Sequence, residues 1–101
     1  MNEHVNEQQP MKAVLVRIEG RVQGVWYRGW AVQQATSRGL RGWVRNRADG
    51  SVEALLAGPP AVVDAMLAAC RQGPPAARVS RITVQPAEVP SALRFDALPT
   101  C

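Results

Sequence analysis

Between Glu19 and Tyr27 the chain reads Gly20-Arg21-Val22-Gln23-Gly24-Val25-Trp26, and the segment Gly20 to Val25 forms a glycine-bounded loop between an alternating apolar stretch and a helical one. Glycines tolerate backbone angles that other residues resist, so consecutive N–H groups in such a loop can converge on one point. The start of the following helix carries no Ser, Thr, Asp or Asn where a capping side chain normally sits. Its first N–H groups therefore lack an obvious internal acceptor. An anion suits that position, and the helix dipole favours it further. Arg28, just inside the helix, can add a bidentate guanidinium clamp on phosphoryl oxygens. On residue types alone the loop is also readable as an ordinary tight strand-to-helix connection, and Arg28 as a solvated surface arginine. It is not a Walker A loop, because Gly24 is followed by Val25-Trp26 and not by Lys-Ser.

The rest of the chain offers little covalent or acid–base chemistry. Its only histidine, His4, lies near the N-terminus, and no paired acids flank the loop. A Ser-His or Cys-His nucleophile is hard to build from these parts. Cys70 and Cys101 have no CxxC spacing and no neighbouring His, so no metal site is expected. Free thiols in a reducing cytoplasm are the simplest account of them. The formal charge of +4, carried by eleven Arg and one Lys against 8 acids, suggests anionic partners. The basic residues are scattered, however, and a coding bias toward Arg and Ala explains them equally. Asp49, Glu53 and Asp64 read as solvated or turn charges. No apolar run approaches the roughly 20 residues that span a bilayer, so no membrane partner is expected. Residues 1–10 are polar and are not a secretory signal. They read as a disordered tail before a single domain over residues 11–98.

The elements that must position the loop follow from hydrophobic periodicity. From Lys12 to Glu19, Val14, Val16 and Ile18 alternate with Arg17 and Glu19, the pattern of a half-buried strand. Tyr27 to Arg38 is helical, with Trp30, Ala31 and Ala35 near one face and Gly39 as the stop. Leu40, Val44 and Asn46 share a parity in the next strand. Asp49-Gly50 signals a hairpin, and Ser51 to Ala57 returns with Val52, Ala54 and Leu56 on one face. After Gly58-Pro59-Pro60, Val62, Val63, Met66, Leu67 and Cys70 recur at helical spacing. Gly73-Pro74-Pro75 breaks the chain before a strand around Arg78 to Gln85, and Leu93 to Leu98 can add a short fifth strand at an edge. The order β-α-β-β-α-β predicts a ferredoxin-like α+β sandwich, an antiparallel sheet with both helices on one face. A right-handed crossover then makes the first two strands parallel with the third between them. The loop after Glu19 and Asn46 become neighbours at one sheet edge.

Two segments carry a resemblance. Ile18-Glu19-Gly20-Arg21-Val22-Gln23-Gly24-Val25-Trp26-Tyr27-Arg28 is similar to the first signature of the acylphosphatase family. Gly42-Trp43-Val44-Arg45-Asn46, followed by Gly50, Val52 and Gly58, resembles its second. Order and spacing agree, and the similarity runs roughly from Met11 to Phe95; Tyr27 departs from the Phe usual in the family. The resemblance implies hydrolysis of acyl phosphates by a monomer that needs no metal or other cofactor. Main-chain N–H groups of Gly20, Arg21, Val22, Gln23, Gly24 and Val25 would wrap the phosphate. Arg28 would bind its oxygens, and Asn46 would orient the attacking water. That chemistry suits the sparse inventory, because a carboxylate leaves without a proton and phosphoryl transfer depends chiefly on positioning and on stabilising equatorial oxygens. The rival reading is a non-catalytic ferredoxin-like module that binds phosphate or nucleic acid. Trp43 faces away from the helices and, with Arg41, Arg45 and Leu55, could imitate an RNA-binding sheet face. The paired aromatic motifs of such modules are absent, so no nucleic-acid partner is expected. Asn46 also has a plain alternative, as a turn residue opening the hairpin.

Overall fold

In the computed structural model, which describes residues 10–101, β1 (Lys12–Arg21) buries Val14, Val16 and Ile18 on one face and exposes Arg17 on the other. The tail expected over 1–10 and His4 within it lie, but for Pro10, outside the described residues. Next come α1 (Tyr27–Ser37), β2 (Arg41–Asn46), β3 (Val52–Gly58), α2 (Pro60–Gln72), β4 (Arg78–Pro86) and β5 (Phe95–Ala97). The sheet order is β4-β1-β3-β2-β5, the ferredoxin-like α+β arrangement with one strand added. Val14, Val16, Ile18, Val44, Val52, Ala54 and Leu56 share one sheet face. They form a single core with Tyr27, Ala31 and Ala35 of α1 and with Val63, Met66 and Cys70 of α2. Each large side chain so buried contributes roughly 1.5–3 kcal/mol, which fixes both helices to that face.

The four strands of the β-α-β-β-α-β order form the antiparallel sheet that this order predicts, and the short fifth strand makes the whole sheet mixed. β1–β3, β1–β4 and β2–β3 are antiparallel, but β5 runs parallel to β2, from Gly42 opposite Phe95 to Val44 opposite Ala97. The cause is the route of the chain. β4 lies at the edge farthest from β2, so the segment after Pro86 must cross the whole sheet. It crosses at the end where β1 and β2 begin: the Ala87 N–H donates to the Ala13 carbonyl at 3.0 Å, and Arg41 Nη1 reaches the Pro90 carbonyl at 3.4 Å. The chain thus arrives beside the start of β2 and follows its direction.

Because β1 and β2 both run antiparallel to β3, their carboxyl ends share one edge. Ile18 and Asn46 both lie opposite Val52, two strand spacings apart, or about 10 Å. On the face away from the helices the Arg45 guanidinium sits 4.6 Å above the Trp43 ring, and Glu53 pairs with Arg45 at 2.9 Å and with Arg47 at 3.2 Å. Trp43 is turned away from the helices, as its parity predicts, and its ring is covered by a side chain of its own strand.

Candidate functional site

Gly20 and Arg21 continue β1 past a bulge and lie opposite Val79 and Arg78 of β4, so the turn proper begins at Val22. Gly20 is needed for close approach: a Cβ there would stand 2.2 Å from the Arg78 carbonyl oxygen and 2.7 Å from the Ser80 nitrogen. Val22 is buried in the core and anchors the turn. Gly24 has φ +76°, with nothing within 4 Å of where a Cβ would be, so its requirement is purely conformational. Trp26 also adopts the left-handed region, at φ 68° and ψ 27°, while Val25 between them has negative φ. Such alternation in sign turns successive N–H groups toward one side, the geometry of an anion-binding nest. A bulky residue held there costs of order 1–3 kcal/mol and persists only where its surroundings impose it. Nothing in the residue type of Trp26 announces this; the missing helix cap is the only sequence signal at that position.

Trp26 is the N-cap of α1 and makes no side-chain capping bond; the Trp30 N–H donates to its carbonyl at 3.0 Å, closing the first turn. Among the described residues, the N–H groups from Gln23 through Gly29 donate to no protein acceptor. Arg28 stands in that first turn, half-buried, and among the described residues its guanidinium has no hydrogen-bond or ion-pair partner. Neighbouring charges are committed elsewhere: Arg45 and Arg47 to Glu53, and Arg17 to Asp49.

Asn46 ends β2 on the same face as Val44, the side covered by the helices. Its side-chain amide has no protein partner among the described residues, so it does not serve the turn. Asp49 does: its Oδ1 accepts from the Ser51 N–H at 2.9 Å and from Ser51 Oγ at 2.6 Å. These bonds hold the Asp49 carboxyl below its ordinary pKa of 3.8, and the guanidinium groups of Arg17 and Arg47 add to the effect. A cavity of about 190 Å³ lined by Arg17, Glu19, Gly20, Asp49, Gly50 and Ser51 opens beside the loop on the uncovered side of the sheet.

Three contacts that residue types do not reveal hold these parts together. Gln23 Nε2 donates to the carbonyls of Arg47 and Ser51, each at 2.8 Å, joining the loop to the hairpin. On the other flank of β2 the Cys101 N–H donates to the Asn46 carbonyl at 3.1 Å, and the Ala48 N–H donates to the Cys101 carbonyl at 2.8 Å. The hydroxyl of Tyr27, the residue that departs from Phe, donates to the Cys70 carbonyl at 2.5 Å and ties the start of α1 to the last turn of α2. Burial pushes the Tyr27 phenol up and the Cys70 thiol up to about 11, so neither ionises near neutral pH. Among the described residues no group of three His, Cys, Asp or Glu side chains converges, and no helix is long and apolar enough to cross a membrane.

The family described as Acylphosphatase matches residues 14–96. An acylphosphatase of Rhodospirillum rubrum is 60% identical over 90 residues, covering 89% of this chain and 99% of that protein. One from Rhizorhabdus wittichii is 53% identical over 85 residues, covering 84% of this chain and 86% of that protein. The crystal structure of acylphosphatase from Bacillus subtilis superposes with a TM-score of 0.83 at 33% identity, over 88% of this chain and 99% of that one.

Proposed function

This chain belongs to the acylphosphatase family, and we propose that its hydrolysis of acyl phosphates is carried out by the 20–25 loop, Arg28 and Asn46. The reaction cleaves the bond between a carboxyl group and phosphate, releasing carboxylate and inorganic phosphate. The observation that carries the assignment is the run of N–H groups from Gln23 through Gly29 that donate to no protein acceptor among the described residues, beside an Arg28 guanidinium with no protein partner there. Together they form a positive pole matched to the equatorial oxygens of a phosphoryl group. Main-chain donors do not need to reorganise as charge shifts during transfer, and a guanidinium fork bridges two oxygens at once.

The remaining requirement is an aligned nucleophile. Asn46 supplies it: the amide oxygen accepts a hydrogen of the attacking water and sets its approach to phosphorus, opposite the departing carboxylate. The leaving group is a weak base, so it departs without a proton, and a phosphoryl oxygen takes the proton that water gives up. No titratable side chain is needed as acid or base. In this reading the enzyme works as a cytoplasmic monomer without a cofactor, through the single domain of residues 11–98, and its partner is the small acyl phosphate, not nucleic acid.

Purified protein incubated with benzoyl phosphate in the presence of a chelator tests the activity. Release of benzoate and phosphate well above the buffer rate is expected, with inorganic phosphate as a competitive inhibitor. Hydrolysis at the buffer rate in a folded preparation would refute it.

A further inference from the structure

We propose that Gln23 is a positioning residue for this reaction: its side-chain amide fixes Asn46 relative to the phosphate loop and thereby sets kcat. The proposal rests on the reading that Asn46 aims the water. The direction of the amide is unambiguous, because only its NH₂ end can face two carbonyl oxygens, and Nε2 lies 2.8 Å from each of them, one for each of its hydrogens. Those carbonyls form the mouth of the hairpin. The Arg47 N–H donates to the Ser51 carbonyl at 2.9 Å, and the Gly50 N–H donates to the Arg47 carbonyl at 3.1 Å. With Gln23 added, both carbonyls accept twice. Arg47 directly follows Asn46, and Ser51 directly precedes Val52, the residue opposite Asn46 in the sheet.

Gln23 itself lies in the turn between buried Val22 and left-handed Gly24, at the start of the run of N–H groups that donate to no protein acceptor among the described residues. One side chain therefore ties the turn directly to the hairpin mouth, alongside the pairing of both flanking strands with β3 and the Arg17–Asp49 ion pair. The bonds are partly buried, and the atoms they hold are main-chain atoms that move as a unit with the Asn46 backbone. Release of this strut leaves the phosphate donors in place and frees the hairpin mouth to drift. A displacement of about 1 Å in a group that orients a reactant costs on the order of 10²-fold in rate.

Gln23→Met keeps the length of the side chain and removes both donors. We expect kcat to fall roughly ten- to a hundredfold, while inhibition by inorganic phosphate changes by less than about twofold because the N–H groups and Arg28 remain. In the Asn46→Ala background the same substitution should cost nothing further. Gln23→Glu is the second variant and serves if the first does not fold. Its carboxylate faces two carbonyl oxygens, so kcat relative to wild type at the same pH is low near neutrality and recovers in acid, where the protonated group regains one donor. Wild-type kcat in Gln23→Met, an undiminished further loss on top of Asn46→Ala, or a Gln23→Glu ratio that does not change with pH would each overturn the proposal. If Asn46→Ala is slow while Gln23→Met is not, the water-aiming reading stands and only the strut is lost. If Asn46→Ala keeps its kcat, that reading fails and takes the strut with it.

Discussion

Two strand-to-helix junctions occur in this fold, and they treat the same physical problem differently. At the β3–α2 junction the N-cap is Pro59 and the first helical residue is Pro60, which has no N–H to leave unsatisfied. The Val62 and Val63 N–H groups both donate to the Pro59 carbonyl at 3.0 Å, so the turn is closed almost at once. At the β1–α1 junction the N-cap is a left-handed Trp26, no side chain caps the helix, and among the described residues the donors from Gln23 to Gly29 find no protein acceptor. Because β3 runs opposite to β1, the two junctions lie at opposite ends of the sheet. The molecule thus has one sealed helix start and one whose donors stay open among the described residues. Absence of a cap is therefore not in itself a sign of function, since neither helix has one; what differs is whether the chain has removed the donors.

The comparison breaks most easily at Arg28. Arg28→Ala should lower kcat/KM for benzoyl phosphate by about 10²–10³ and weaken inhibition by inorganic phosphate, and Arg28→Lys should be nearly as poor because an ammonium cannot reproduce the planar fork. Steady-state kinetics on both variants decide the matter, and near wild-type values in either would leave the open junction without its clamp. A smaller effect sharpens the contrast between junctions. Gly24→Ala forces an L-residue to φ +76° without any clash and should cost roughly 1–2 kcal/mol of stability together with a loss of phosphate affinity. Pro60→Ala restores a donor at the sealed junction and should leave kcat/KM unchanged, with less than about 1 kcal/mol lost. Thermal melts and phosphate inhibition on the pair test this; comparable kinetic damage in both would erase the distinction.

The smallest effect concerns the hairpin. The Asp49 carboxyl titrates below its ordinary 3.8, so its contribution to stability is complete above that pH and disappears as pH falls through the lowered value. The difference in Tm between wild type and Asp49→Asn should accordingly shrink in acid and stay constant from pH 5 to 8. A difference that grows on acidification would contradict the bonds to Ser51.

Much of this was legible from residue types because parity and topology are simple codes. Alternation in Lys12–Glu19 and the Asp49-Gly50 hairpin signal were enough to bring the loop and Asn46 to the same edge. The direction of β5 was not, since a three-residue strand pairs equally well either way and only the path through Ala87 and Pro90 decides it. The extension of β1 to Arg21 has no signature in residue types, because Gly20 looks like a loop residue, whereas the bulge against β4 uses its missing side chain. The amide of Gln23 points where it does through tertiary contact alone. A polar residue in a turn has no periodicity from which its direction can be read.

One consequence concerns β4, the strand that secures Gly20 and Arg21 on one side and ends the sheet on the other. In a crowded solution its open ladder is where a second copy could add itself. Pro86 brings no N–H to such a pairing, and Arg78 and Arg81 would meet like charges on an approaching chain that also carries +4. The strand that steadies the turn after β1 is thereby a poor template for another strand to extend, and both properties reside in the same nine residues.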